Sequence, residues 1–367
     1  MPLRFKLAAL LLGLLAALVG AEILLRAANL GFGNSPMEPD PFLHHVHPKN
    51  YSFVQQHPSG ELGGFSIEYN ADGRVFRGLS APPLRPAGAP ASCRVAVMGD
   101  SFTEGGQVPF DHSFAGMLEV AGRDTCEVRN YGVRSYSPAI YLVQWTRDVQ
   151  PWKPDVVFLL LFGNDVREDA NYLQTSLRDE RGLPVAIQGP ADGWLFTQMR
   201  RSYVARFARM VGLRAQWAWE HYGEEQWQVG GVVEENPEWG GPTPGLVIEM
   251  NRRVTAAGSR LVVMAVPSRY RLMGDGRIKV EGDFHQTVKD FTAGNSIEFL
   301  DLFVPFARAS KAGTPLFFLK DIHFAKEGHQ VVAAAIARAY PQYFSHGQEI
   351  SGPAISAAFD EVATPSR

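Results

Sequence analysis

A three-layer α/β fold around a parallel sheet is predicted by three observations. Five short runs of strand character stand at residues 95–98, 127–129, 156–161, 260–266 and 297–302. Helical segments separate them, which is the pattern of strands joined by crossover helices. The first run, Val95-Ala96-Val97-Met98, ends abruptly in Gly99-Asp100-Ser101. Such a polar turn falls at the carboxyl edge of the sheet, where open α/β folds place their chemistry.

The elements follow in order from the amino terminus. Arg4 and Lys6 precede an apolar run at 7–25 that only Glu22 interrupts. At 1.5 Å per residue that run spans roughly 28 Å, enough to cross a bilayer. Positive charge ahead of it favours a cytoplasmic amino terminus and an exported remainder. Length and continuity favour an uncleaved anchor, residues 1–28, over a signal peptide cut near Val19-Gly20-Ala21. A buried core helix is disfavoured because 7–21 shows no polar face. Residues 29–91 read as an extension and linker. Residues 65–69 alternate apolar and polar, and Asn70-Ala71-Asp72-Gly73 turns the chain, which predicts a hairpin. Residues 81–91 form a Pro/Ala linker. His44, His45 and His47 look like a metal cluster, but without a strong carboxylate or cysteine nearby they read as surface histidines.

The core domain spans 92–345, with an insertion at about 169–244. An unstructured loop of that length is improbable in a compact domain. Phe196, Tyr203, Phe207, Met210, Trp217 and Trp219, interleaved with arginines, predict amphipathic helices there. They form either a lid over the site or a decoration packed on the core. Residues 346–367 read as a flexible tail. Cys93 and Cys126 each stand just before a strand, and those strands should be neighbours. They form either a disulfide or two small buried residues. With 367 residues, 46% hydrophobic and a formal net charge of −3, the chain can bury a sizeable core. It is too neutral to be a nucleic-acid binder working through phosphates.

Ser101 is the candidate nucleophile, and a serine hydroxyl needs a base and an oxyanion hole. Asn130-Tyr131-Gly132 follows the second strand, Gly163-Asn164-Asp165 closes the third, and Asp321-Ile322-His323 precedes a helical run at 325–339. These four blocks, in this order, resemble the SGNH hydrolases, also called GDSL esterases and lipases, over roughly residues 94–340. The resemblance implies a flavodoxin-like α/β/α sandwich with a five-stranded parallel sheet. It implies Ser101 as nucleophile, His323 as base and Asp321 as its orienting carboxylate. The oxyanion hole would use the Ser101 and Gly132 amides and the Asn164 side chain.

One departure stands out. The commonest family pattern places the aspartate three residues before the histidine, where this chain has Lys320. Its Asp-x-His spacing is similar to the alginate O-acetyltransferase branch. Were Asp321 to point away, a Ser-His dyad would remain. Asp100 and Asp165 read as structural, His329 as a packing residue, and Glu104 and Arg134 as possible substrate contacts. The resemblance implies an esterase, and the amino-terminal segment places it, exported and membrane-anchored, in a periplasmic or extracellular compartment. Its substrate would be an acyl ester, an O-acetyl group on an envelope glycan, with no metal or organic cofactor. Acyl transfer to a glycan, a lipid or short-chain ester, and a non-catalytic envelope-assembly module are the alternatives.

Overall fold

The computed structural model describes residues 2–28, 36–76, 92–190, 194–220, 231–234, 239–273 and 278–359, with isolated residues at 30, 33, 78 and 84. Five parallel strands make the central sheet: β1 (Cys93–Gly99), β2 (Cys126–Asn130), β3 (Val156–Leu161), β4 (Arg260–Ala265) and the two-residue β5 (Glu298–Phe299). Their spatial order is 5-4-3-1-2, the flavodoxin-like arrangement. The direction of winding reverses between β1 and β3, and a crevice opens at such a switch point.

Both faces of the sheet are covered, so the inner strands β1, β3 and β4 read as nearly continuous apolar runs. Val95, Val97, Phe158, Leu160, Val262 and Met264 pack with helices Phe114–Ala121, Phe303–Lys311 and Lys326–Ala339. Ala96, Met98, Val157, Leu159, Leu161 and Val263 pack with Pro138–Gln144, Thr243–Ala256 and Phe284–Gly294 on the other side. Cys93 and Cys126 face each other in register and form a disulfide. It ties the amino-terminal ends of β1 and β2, at the edge opposite Ser101.

The amino-terminal region differs from expectation in two ways. Strand Gly63–Tyr69 pairs antiparallel with the upstream strand Tyr51–Gln56. Among the described residues, one bridge, Tyr69 to Val75, follows the turn at 70–73. His44, His45 and His47 are not surface histidines. His47 is 3% exposed, stacks on Tyr69, and its Nδ1 contacts the Gly73 carbonyl. His45 Nε2 reaches the Arg134 carbonyl at 2.8 Å. These rings seat the extension on the core domain. No metal-binding cluster occurs among the described residues.

Helix Leu3–Ala27 is unburied, with a mean hydropathy of 2.4 over its most apolar window. Its Glu22 carboxylate accepts from Ser202 Oγ and the Tyr203 and Val204 amides. Those residues begin the insertion helix Tyr203–Glu220. That helix packs on the hairpin: Tyr203 Oη donates to the Ser52 carbonyl, and Arg206 lies over Phe53. At the carboxyl end, residues expected as a flexible tail form helix Pro353–Phe359, with Ala354, Ile355 and Ala358 buried. The apolar alanine and isoleucine side chains cover the Phe303–Lys311 and Lys326–Ala339 helices. The linker at 81–91 lies outside the described residues apart from residue 84, as do residues 360–367.

Candidate active site

β1 ends at Gly99, whose φ is +153°. A Cβ there would lie 2.2 Å from Thr103 Oγ1 and 2.9 Å from the Leu160 carbonyl, so only glycine fits the turn. Asp100 then caps the short helix Ser101–Glu104, its carboxylate accepting from the Phe102 amide at 3.0 Å. Ser101 therefore opens that helix at the carboxyl edge of the sheet.

The loop before helix Lys326–Ala339 brings the other two groups to it. His323 Nε2 lies 2.7 Å from Ser101 Oγ, across a separation of 222 residues. Asp321 Oδ1 contacts His323 Nδ1 and also accepts from the His323 backbone amide at 2.9 Å. That backbone bond is an Asx turn, in which a side chain accepts from the amide two residues on. It explains the two-residue spacing: the turn folds the carboxylate back under the imidazole of its own loop. Burial works against ionisation of Asp321, but its bonds to His323 and the His57 ring nearby hold its pKa below the ordinary value.

Asn164 follows β3 and its amide donates to Glu168 Oε1 at 3.1 Å. A carboxamide has two N–H groups, so one remains for an oxyanion. Gly132 departs from expectation. Its N–H donates to Asn130 Oδ1 at 2.8 Å, and it lines a separate polar cleft with Arg74, Arg129 and Arg147. A Cβ on Gly132 would lie 2.3 Å from the Glu104 amide nitrogen, so its glycine is required by the helix behind it. Ser135 stands three residues on in the left-handed region, at φ +59°. The Val133 amide bonds the Gly99 carbonyl at 3.1 Å, which extends the β1–β2 register past the strands. Two residues further along each chain lie Ser101 and Ser135. Tyr172 Oη donates to the Ser135 carbonyl at 2.7 Å, fixing that peptide.

Glu104 and Arg134, read from the sequence as possible substrate contacts, bond to each other. Glu104 is 1% exposed and pairs with Arg134 at 3.1 Å and His47 at 3.4 Å. Burial opposes its charge, but Arg134 and His47 hold its pKa well below the usual range. The His47–Glu104 contact joins the extension to the core. His329 is buried in helix Lys326–Ala339, its Nδ1 accepting from the Phe114 amide at 3.3 Å, a packing and capping role. Beneath the site, burial pushes Asp100 up to about 6 and Glu168 up to about 7, and raises Asp165 well above its usual value.

A cavity of about 380 Å³ opens beside the Ser101–His323 pair. Its walls include Phe102, Phe162, Tyr270 and Phe317, with Asn164 and the exposed Arg167. The Ser101 turn, the Asp321–His323 loop and the cavity share one edge of a flavodoxin-like sheet.

Comparison with known families agrees with that architecture. The chain belongs to the GDSL-like lipase/acylhydrolase family, whose model matches residues 97–331. It is accordingly a hydrolase of ester bonds. Similar solved structures include an acetylxylan esterase from Geobacillus stearothermophilus, at 14% identity and TM-score 0.38, covering 68% of this chain and 94% of that one. Another is an alpha/beta hydrolase enzyme from the metagenome of Lake Arreo, at 13% identity and TM-score 0.39, covering 69% and 97%. A third, an acetyl xylan esterase, has 14% identity and TM-score 0.39, covering 67% and 98%. The search of curated proteins finds no match.

Proposed function

We propose that this chain is a membrane-anchored, exported serine esterase that removes an acyl group, an O-acetyl, from an envelope carbohydrate. The observation that carries the reading is the alignment of Ser101 Oγ, His323 and Asp321. In the proposed cycle Ser101 Oγ attacks the acyl carbon while His323 Nε2 takes its proton. The carbonyl oxygen becomes an oxyanion, held by the Ser101 amide and the second Asn164 N–H. The Ser135 amide takes the place that Gly132 was expected to fill. The bond to the sugar oxygen then breaks, and His323 returns the proton to that oxygen. Water, activated by the same imidazole, attacks the acyl-serine and releases the acid. Asp321 holds the imidazole in the Nδ1–H tautomer and stabilises its charged form.

Carbohydrate as the acyl carrier is supported by the aromatic walls of the cavity, against which sugar C–H faces pack. Arg167 at its edge suits a glycan carrying a carboxylate. Export is supported by the unburied apolar helix Leu3–Ala27 and by the Cys93–Cys126 disulfide, a bond that persists in oxidising compartments. The test is acetate release from an acetylated glycan, with and without an added sugar acceptor, by wild type and Ser101→Ala. Acetate released by wild type alone supports the reading. Loss of free acetate to an acetylated acceptor would make the enzyme a transferase. Fractionation checks the anchor: wild type should sediment with membranes, and a chain starting at residue 29 should be soluble and active. A mature amino terminus at Glu22 would make the segment a cleaved signal.

A further inference from the structure

The loop carrying Asp321 and His323 is held from a distant part of the chain. The hairpin loop at 57–62 joins strands Tyr51–Gln56 and Gly63–Tyr69, which share a small core of Phe53, Ile67, Tyr69 and Val75. Glu61 from this loop accepts from the Leu319 and Lys320 amides, each at 2.5 Å. Arg269 donates to the Leu319 and Asp321 carbonyls, both at 2.9 Å. The backbone around Asp321 is thus gripped on both sides.

His57 completes the arrangement. Its Nε2 lies 3.4 Å from Asp321 Oδ2, the oxygen that His323 does not use. The Ser59 amide donates to His57 Nδ1 at 3.2 Å, and Ser59 Oγ lies 2.7 Å from the same nitrogen. A ring nitrogen that accepts from a backbone N–H carries no proton, so the neutral ring holds its hydrogen on Nε2, facing Asp321. Burial lowers the pKa of His57 despite the nearby Asp321 and Glu61 carboxylates, which favours the neutral ring. It therefore acts on Asp321 as a fixed N–H dipole.

We infer that His57 is a positioning residue for the Asp321–His323 pair, so that the amino-terminal extension is part of the catalytic apparatus. The inference rests on the Ser101–His323–Asp321 reading above. With Oδ1 on His323 and Oδ2 facing the His57 ring at 3.4 Å, rotation of the carboxylate away from the imidazole would carry Oδ2 off that dipole. His57 touches no substrate; it acts through Asp321.

The experiment compares His57→Leu, His57→Asn and His57→Gln in the full chain, on an activated acetyl ester, with thermal unfolding measured alongside. A glutamine amide reaches about where Nε2 lies; an asparagine amide keeps the Ser59 contact but stops short of Asp321. The expected result is a kcat loss of about tenfold for His57→Leu and His57→Asn, the scale of one polar contact to a charged group, with KM unchanged. His57→Gln should recover most of kcat. The His57→Asn and His57→Gln pair decides the matter if His57→Leu does not fold. Equal kcat for His57→Gln and His57→Asn, or full activity in His57→Leu, overturns the inference. Ser101→Ala in the same assay separates the two readings. An inactive Ser101→Ala beside an unimpaired His57→Leu overturns this inference alone, whereas an active Ser101→Ala overturns both.

Discussion

Asp321→Asn perturbs the site at the Asp-x-His turn that seats the carboxylate under its imidazole. The native carboxylate has two acceptor oxygens. Oδ1 takes the His323 amide and Nδ1, and Oδ2 faces His57. An asparagine can keep its oxygen on His323 only by turning its NH2 toward the His57 N–H. In the flipped orientation the NH2 faces the His323 backbone N–H instead, and Nδ1 must become an acceptor. The proton then moves to Nε2, which can no longer take the Ser101 proton. The first orientation loses the charge that stabilises the imidazolium; the second selects the wrong tautomer. Serine triads that suffer these changes lose about 10²–10⁴ in kcat, or about 2.7–5.5 kcal/mol of barrier. Glu61 and Arg269 still hold the loop backbone, so the fold should persist. The assay is kcat on an activated acetyl ester, with thermal unfolding as the control for folding. A folded Asp321→Asn enzyme within a few-fold of wild type would refute the reasoning and leave a Ser-His dyad.

Other expectations follow from the same geometry. Asn164→Ala should lower kcat by roughly 10²–10³ with KM little changed, because an oxyanion donor acts on developing charge; steady-state kinetics would show otherwise if KM carried the loss. Glu168→Gln tests the buried carboxyls. Glu168 rises from 4.5 to about 7 in the fold, so its contribution to stability is present below 4.5 and lost as pH climbs through 7. The glutamine variant should gain on wild type by on the order of 1 kcal/mol between those pH values, after allowance for solvent around this partly exposed group. A difference in melting temperature that does not change with pH would count against it. Double substitution of His323→Ala with Asp321→Asn should be little worse than His323→Ala alone, since both act through one imidazole.

The strands and the residues at their ends were legible because each is a local signal. Val156–Leu161 is a continuous apolar run since both of its faces are covered, and Asn164 follows at once. Gly99 marked a turn that only glycine makes. Gly132 misled because a glycine required by a neighbouring helix reads the same as one required by substrate. Ser135 carried no signal, since nothing in a serine announces a positive φ. His47 and Glu104 elude sequence reading because their partnership spans tertiary distance: a histidine of a polar, proline-flanked cluster reads as exposed until its carboxylate is known. His57 and Glu61 are hidden for the same reason, lying more than 250 residues before the loop they hold. The tail helix Pro353–Phe359 is short and alanine-rich, and only its packing distinguishes it from a flexible end.

The central claim is that Ser101 is a nucleophile activated by His323. Covalent labelling with a fluorophosphonate probe, followed by mapping of the modified peptide, tests it most directly. Wild type should carry one adduct, on Ser101, formed in step with loss of esterase activity. His323→Ala should label far more slowly, and Ser101→Ala not at all. An adduct on another serine, or full labelling of a folded Ser101→Ala protein, would contradict the account.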